Sequence, residues 1–307
     1  RQLVDLIGIA PLLVVSAGLL GIALGCVVAL GRWARLHSMR RHVIGHEDAV
    51  GGGMFDGLKQ IFADRFMRNM ALLMLLGDAI GTIAYASVAD YSGATFHDAV
   101  ARTRFAANVD LATNIFQICV QVTLTRWLLK RSGAGPVIAV WAVVGVVVCL
   151  AMAVSGDPYA PALPLLAQHV SAWSAVIRPN GVAAFLLRLP VELLPVLSWV
   201  VLMLVVTRGL VYAMVQPARE SLYTRVPRDL RYKGKNAVDT AVWRAGDVMS
   251  SLSINGLRAL GMSIAGFGLI GAAALTASGV IGWRLAKWIE REPASDARAS
   301  DAHASAP

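Results

Sequence analysis

The sequence predicts an all-α polytopic membrane protein with seven transmembrane helices. Three observations support this: the composition, several uncharged runs of membrane length, and a one-sided distribution of basic residues. Of the 307 residues, 57% are hydrophobic and 15% are charged, whereas a soluble domain is about 45–50% apolar and about 25% charged. This composition excludes a disordered, collagen-like or disulfide-framed chain, and it argues against a soluble enzyme.

Seven apolar runs of the sequence are long enough to cross a membrane. A membrane helix needs about 20 mostly apolar residues. Three uncharged runs exceed this length: Leu6–Leu30, Ser132–Gly156 and Ala259–Trp283. Four more runs are long enough but contain isolated polar residues: Asn69–Tyr91, Phe105–Leu129, Leu193–Gln216 and Ala237–Leu257. Together these runs give the seven predicted spans.

Basic residues assign the two sides of the membrane. Lys and Arg outnumber Asp and Glu by 28 to 19, for a net charge of +9. Alternate connections between the spans carry 20 of these basic residues on one side and five on the other. Excess Lys and Arg marks the cytoplasmic side. We therefore expect a cell (inner) membrane protein with its N-terminus outside and its C-terminus cytoplasmic, whose charge does not indicate nucleic-acid binding.

One apolar segment is not counted as a span. Pro161–Ile177 is predicted to form a short interfacial helix within an external loop, residues 155–192. An eighth span at this place would move the six basic residues of 217–236 to the outside, against the charge rule.

The domain organisation follows from an odd number of spans. Seven spans with an outside N-terminus fit spans 6–12 of a twelve-helix protein, so we expect residues 1–30 to hold the last span of an N-terminal half that is the bundle's partner. Residues 31–68 are then a central cytoplasmic loop, 69–288 a six-helix bundle and 289–307 a disordered tail. In the loop, four aromatic or apolar residues are predicted to share one face of an amphipathic helix: Phe55, Leu58, Phe62 and Phe66.

Polar residues line one face of the third predicted span. Asp110, Asn114, Gln117 and Gln121 follow one another at spacings of 4, 3 and 4, which place them on one side of a helix. One interpretation is hydrogen bonding between helices, at about 0.6 kcal/mol per bond. The other is a wall of a solute pathway, because ionisable residues inside a membrane mark functional sites.

Charged residues also occur in three other spans. Arg244 and Asp247 are three apart in the sixth span and can pair, either as a structural ion pair or within a site. Arg208 in the fifth span has no acid three or four residues away. Its partner must come from another helix, from water or from an anionic solute. Asp78 in the second span is interpreted as a partnered structural acid.

The connection Pro217–Asn236 is strongly basic, with six basic residues against Glu220 and Asp229. It is either an ordinary cytoplasmic loop or a funnel that concentrates an anion such as phosphate, since a positive field raises the local anion concentration.

Motifs of soluble enzymes are absent from the sequence. Gly266–Gly271 matches a dinucleotide-binding pattern, but no strand precedes it and small-residue helix packing explains it. His42 and His46 lie in a basic loop and are interpreted as solvated. We predict no enzymatic activity, no metal and no cofactor.

The stretch YAMVQPARESLYTRVPRDLRYKGKNAVDTAVWRAGD, Tyr212–Asp247, resembles the ATP/ADP translocase family of nucleotide antiporters. The second stretch, Asp98–Gln117, resembles the bacterial branch of that family. The matching elements are a Pro-x-Arg-Glu, an aromatic residue, a Lys-Gly-Lys cluster, an Asp and an Arg-x-Gly. The sequence differs from the classical exchangers at Asp247 and Val248, where a Lys-Ser pair is expected, and in the insert 155–192.

This resemblance implies a major facilitator-like fold that exchanges nucleotides such as ATP and ADP. It implies contacts to phosphate groups from Arg219, Lys233 and Lys235, with Glu220 and Asp239 as orienting acids. The partners implied are the lipid bilayer and a small anionic solute.

Three functions stay open from the sequence. The first is secondary transport of a nucleotide-like anion by exchange. The second is a major facilitator-type porter of another solute, coupled to protons through Asp110 or Asp247. The third, of another class, is a membrane sensor or scaffold that binds a partner without transporting a solute.

Overall fold

The computed structural model describes residues 9–38, 56–164, 168–169, 172, 197–227 and 230–291. These residues form helices, and the only β contact among them is an isolated bridge between Pro161 and Ser198. The chain divides into two compact units, Arg1–Gly51 and Gly52–Pro307. The all-α class predicted from the sequence is thus confirmed for the described residues.

The first unit contains one long helix, α1 (Ile9–Ser38). Its segment Val14–Trp33 is long and apolar enough to cross a membrane, and none of its most apolar window is buried. A helix that is apolar on all sides is typical of a membrane span.

The second unit contains ten α-helices within the described residues, joined in places by π-helical turns. The α-helices are α2 (Asp56–Ala63), α3 (Arg65–Thr95), α4 (Ala99–Val120), α5 (Arg126–Ser132), α6 (Ala134–Val154), α7 (Trp199–Leu210), α8 (Gln216–Tyr223), α9 (Lys235–Ala237), α10 (Trp243–Ala259) and α11 (Ile264–Arg291). The π-helical turns are π1 (Gln121–Thr125), π2 (Val211–Val215), π3 (Leu230–Gly234) and π4 (Val238–Val242).

Five helices in the described residues are long and apolar enough to cross a membrane. They coincide with five of the seven predicted spans: Val14–Trp33, Arg65–Thr95, Ala134–Val154, Trp199–Tyr223 and Ile264–Arg291. The other two predicted spans are helical but do not reach the same apolar character. They fall on α4 with π1 and α5, and on π4 with α10, the two segments with the polar faces.

Local sequence explains where several helices begin and end. Asp64 caps α3, where its carboxylate accepts a hydrogen bond from the Met67 backbone N–H at 2.9 Å. Asp98 caps α4 in the same way through the N–H of Ala101, at 3.0 Å. Both arrangements satisfy a free N–H at a helix start. Gly133 has a φ of 78° between α5 and α6, a left-handed conformation that suits glycine.

Helix α11 packs closely against α6 through glycines. A Cβ atom at position 279 would lie 2.5 Å from the Cβ of Ala142, and one at position 268 would lie 2.9 Å from the carbonyl oxygen of Cys149. Such close contact is the known use of small residues between membrane helices. Within Gly266–Gly271, Gly268 and Gly271 thus lie against Cys149 of α6, as the packing interpretation predicts, whereas Gly266 does not contact α6.

The amphipathic helix is shorter than predicted. Helix α2 ends at Ala63, because Asp64 starts a new helix, so Phe66 belongs to α3 and is buried there. Leu58 and Phe62 share an exposed face, and Phe62 is 72% exposed. Phe55 lies outside the described residues. The prediction that all four residues share one helix face is wrong at Phe66.

Two other predictions fall mainly outside the described residues. The tail, residues 292–307, lies outside them, and α11 continues to Arg291, beyond the predicted start of the tail at 289. Most of Pro161–Ile177 also lies outside them. Ala162, in the first part of the insert, donates its backbone N–H to the carbonyl oxygen of Leu197, five residues beyond the insert, at 2.8 Å.

Candidate functional site

A cavity of about 410 Å³ lies between α3, α6, α7, π2 and α10. This volume is within the range of small-molecule sites, about 300–1,000 Å³. Most of its surface is apolar, and its polar and aromatic side chains come from these five elements and from the first residue of α8. These side chains are Asp78, Thr82, Tyr85, Trp141, Thr207, Arg208, Tyr212, Gln216, Trp243 and Asp247.

Arg208 brings a positive charge to this cavity, which the carboxyl groups of Asp78 and Asp247 also line. The centre of its guanidinium group lies 4.4 Å from the ring of Tyr85 and 5.3 Å from that of Tyr212. No carboxylate among the described residues lies within ion-pair distance of it. Cation–π contacts offset about 0.5–2 kcal/mol, less than an ion pair in a dry site. The guanidinium group therefore has capacity left for an anion.

Two buried polar atoms at this cavity lack a hydrogen-bond partner. They are the Oδ2 atom of Asp78, an acceptor, and the indole Nε1 of Trp141, a donor. Trp141 is fully buried. A buried polar group without a partner costs about 1–3 kcal/mol. Such groups are expected where a ligand or water completes the hydrogen bonding.

Asp247 enters the cavity from α10, whose approach to α3 depends on a glycine. A Cβ atom at position 246 would lie 3.0 Å from the Oδ2 atom of Asp78. Arg244 pairs with Asp247 at 3.4 Å, as the i,i+3 spacing predicts, but its side chain is 86% exposed. This ion pair is therefore at the edge of the cavity and contributes little to stability.

A second group of charged residues forms an ion-pair network beyond the end of π2. Arg219 donates through Nη1 to Asp239 at 2.6 Å and through Nη2 to Glu220 at 3.3 Å. Lys235 donates to the other oxygen of Glu220 at 2.6 Å. Arg219 is 4% exposed, so its charge is matched inside the protein.

Two residues that the sequence analysis did not assign complete this network. The ring of Tyr223 lies 6.0 Å from the guanidinium centre of Arg219 and 5.6 Å from Nζ of Lys235. The Sδ atom of Met74 lies 3.3 Å from Nη1 of Arg219. Tyr223 was noted only as an aromatic residue of the family pattern, and Met74 had no signal in the sequence.

Lys233 differs from its neighbour Lys235. No described residue forms an ion pair with Lys233, and its side chain is partly exposed. Its backbone carbonyl supports α2, because a Cβ atom at Gly57 would lie 2.6 Å from the Lys233 oxygen. Of the residues implied as phosphate contacts, only Lys233 forms no ion pair in the described part of the chain.

One residue of the polar face of α4, Asp110, lines a different cavity. Asp110 is exposed and borders a space of about 480 Å³ together with Arg102 and Tyr85. Asn114 is exposed and Gln117 is half-buried, and neither lines the first cavity. The helix thus presents polar groups to its surroundings, which is unfavourable against lipid.

The predicted site residues therefore separate into three places. Arg208 and Asp247 lie at the first cavity, with Arg244 at its edge. A second set forms or borders the ion-pair network, and a third follows α4. The second set is Arg219, Glu220, Lys233, Lys235 and Asp239; the third is Asp110, Asn114 and Gln117.

The far end of α3 carries one more ion pair. Arg258 of α10 donates to Asp90 at 2.5 Å, and the rings of Tyr91 and Tyr159 lie 5.3 Å apart beside it. Burial raises the pKa of the Tyr159 hydroxyl above its usual value, and the nearby Asp90 adds to this effect. This cluster joins α3 to α10 at the end opposite to Arg219.

Comparison with protein-family models, with curated proteins and with solved structures finds no match for this chain.

Proposed function

We propose that this protein is a secondary transporter that exchanges nucleotide-like anions such as ATP and ADP across the inner membrane. The observation that carries the proposal is Arg208, a cation on a membrane-length helix, at a cavity of suitable size, with no carboxylate partner among the described residues. A charge inside a membrane is expensive unless it is paired or hydrated. A transported anion would supply the missing negative charge.

The aromatic lining of the cavity supports a solute with a planar group. Tyr85, Tyr212 and Trp243 surround the same space as Arg208. Aromatic faces stack on nucleobases at about 1–3 kcal/mol per base, and arginine binds phosphate oxygens through its planar fork. A nucleotide carries both groups in one molecule.

The polar helices α4 and α10 fit this proposal as the third and sixth of the seven predicted spans. In a major facilitator-like arrangement, α4 and α10 would turn their polar faces to the solute pathway rather than to lipid. Exposed Asp110 and Asn114 would then contact water or the opposite half of the transporter. The resemblance of Tyr212–Asp247 to the ATP/ADP translocases agrees with the same function.

Uptake of labelled ATP into proteoliposomes tests the proposal. The full-length protein should take up ATP when the vesicles are preloaded with ADP, and uptake should fall strongly when ADP is omitted. Arg208→Gln should lower the uptake at least tenfold, since each 1.4 kcal/mol of lost solute interaction is worth about a factor of ten.

The matched control is Arg284→Gln, an exposed arginine near the end of α11. This variant should transport like the unmodified protein. Absence of uptake for every nucleotide, or equal uptake by both variants, would contradict the proposed function.

A further inference from the structure

Two carboxyl groups meet at the cavity that contains Arg208. The carboxyl group of Asp78 on α3 faces that of Asp247 on α10, and the indole ring of Trp243 lies beside them. Glycine at position 246 permits this approach, since its Cβ would lie only 3.0 Å from Asp78 Oδ2. Two packed helices thus hold two acids against each other.

The hydrogen bonding of Asp78 is incomplete. Its Oδ2 atom is buried and has no donor. Two carboxylates that share a partly dry site cannot both stay ionised without strong repulsion. One proton between the two acids would remove this repulsion and would supply the missing hydrogen bond. We propose that Asp78 and Asp247 hold one proton between them, and that this proton binds together with the anionic solute at Arg208.

A second observation points to a ligand at the same cavity. The indole N–H of Trp141 is fully buried and has no acceptor, so this wall needs an acceptor group. The two walls are complementary: Arg208 and Trp141 lack acceptors, whereas Asp78 lacks a donor. An anion together with a proton satisfies both walls.

A proton fits this place better than a metal ion. Among the described residues, no group of three or more His, Cys, Asp and Glu side chains could hold a metal ion. Divalent cations such as Ca²⁺ require six or more oxygen ligands, whereas two facing carboxyl groups suffice for one shared proton.

The charged and titratable groups around the pair determine which acid carries the proton. Arg244 pairs with Asp247 at 3.4 Å, whereas Asp78 forms no ion pair among the described residues. Arg208 and the hydroxyl groups of Tyr85 and Tyr212 line the cavity from the other helices. We therefore place the proton on Asp78, which donates it to Asp247.

This arrangement links the proton to the solute. When Asp78 is ionised, its charge offsets that of Arg208 and repels an anion. When Asp78 is protonated, the charge of Arg208 is left for the solute. Linkage is reciprocal, so the anion also favours protonation. The affinity for the anion should rise as the pH falls, by at most about tenfold per pH unit for one proton.

The proton itself can be tested without any solute. Infrared spectra of the full-length protein should gain the carbonyl band of a protonated carboxyl group as the pH is lowered from neutral to mildly acidic. This band should disappear in Asp78→Asn and persist in Asp110→Asn, a matched acid on α4. Absence of the band from the unmodified protein would overturn the inference, even if Asp78→Asn failed to fold.

Uptake of labelled ATP forms the second arm and rests on the proposed function. ATP uptake by the unmodified protein should rise with external acid, and Asp78→Asn should remove this pH dependence. If ATP uptake shows the same pH dependence in both proteins, the inference fails and the proposed function stands. If no nucleotide is taken up but the band is lost in Asp78→Asn, the proton site stands and the proposed function fails.

Discussion

The cavity around Arg208 and the network around Arg219 both contain arginine, acidic and tyrosine side chains. They differ in whether the arginine forms ion pairs. Arg219 has two acids within 3.3 Å, and Lys235 completes the set. Among the described residues, Arg208 forms no ion pair and contacts the rings of Tyr85 and Tyr212. Because a buried charge must be compensated, the ion pairs of buried Arg219 stabilise the fold, whereas half-buried Arg208 forms no ion pair among the described residues and can accept an anion.

The largest expected effect is on stability at the matched network. Arg219→Met leaves Asp239 with its principal partner removed, and breaking a buried ion pair from one side costs about 3–5 kcal/mol. We expect a large loss in thermal unfolding temperature. Arg208→Met is the comparison, and it should leave that temperature nearly unchanged. Equal destabilisation by both variants would remove the distinction between the two regions.

A smaller effect is expected where α10 approaches α3. Gly246→Ala places a methyl group 3.0 Å from Asp78 Oδ2 and should cost about 1–3 kcal/mol, as overpacking does. Gly256→Ala is the control, because a Cβ atom at that position of the same helix meets no atom within 4 Å. Chemical or thermal unfolding in detergent measures both. A destabilisation at position 256 that matches position 246 would show that helix propensity, not contact with Asp78, is being measured.

Trp141→Phe should change the affinity for the solute more than it changes the stability of the fold, at the cavity that contains Arg208. The change keeps an aromatic ring but removes the N–H that has no acceptor. Removal of the unpartnered donor relieves a cost of about 1–3 kcal/mol, and the space left by the smaller ring offsets this gain, so the net change in stability should be small. Solute binding should weaken by a lost hydrogen bond, about 0.5–1.5 kcal/mol. Thermal unfolding with and without ATP measures both effects, and a variant with reduced stability but unchanged response to ATP would contradict the assignment.

The smallest effect is expected for the exposed ion pair at the cavity edge. Arg244→Gln removes a partner of Asp247 whose side chain is 86% exposed. Exposed pairs contribute about 0–1 kcal/mol, so the unfolding temperature should change little. Arg258→Gln, in a pair that is more buried and 2.5 Å long, should cost more. A larger destabilisation by Arg244→Gln than by Arg258→Gln would show that exposure does not determine how much these ion pairs contribute to stability.

The apolar part of the fold could be predicted from the sequence because it depends on composition alone. Five long helices lie where uncharged or nearly uncharged runs occur. The two polar spans are less certain from composition, because side chains such as Asp110 and Arg244 lower the apolar character of their helices. Whether such a helix spans the membrane depends on the partners of its polar face, which hydropathy does not contain.

The candidate site was only partly predictable. The isolation of Arg208 followed from the lack of an acid on its own helix, and the structure extends this isolation to the described neighbouring helices. The pairing of Arg219 with Asp239 joins residues 20 apart, and their charges alone do not indicate it. The position of Asp78 opposite Asp247 depends on helix packing through Gly246, so the sequence indicated only a partnered structural acid.

The most direct test of the account is the equilibrium binding of ATP to the purified full-length protein and to Arg208→Gln, measured by calorimetry. The account predicts that the unmodified protein binds ATP and that Arg208→Gln binds it at least tenfold more weakly, at an unchanged unfolding temperature. ATP binding of equal affinity in both proteins would contradict the central claim that Arg208 binds an anionic solute.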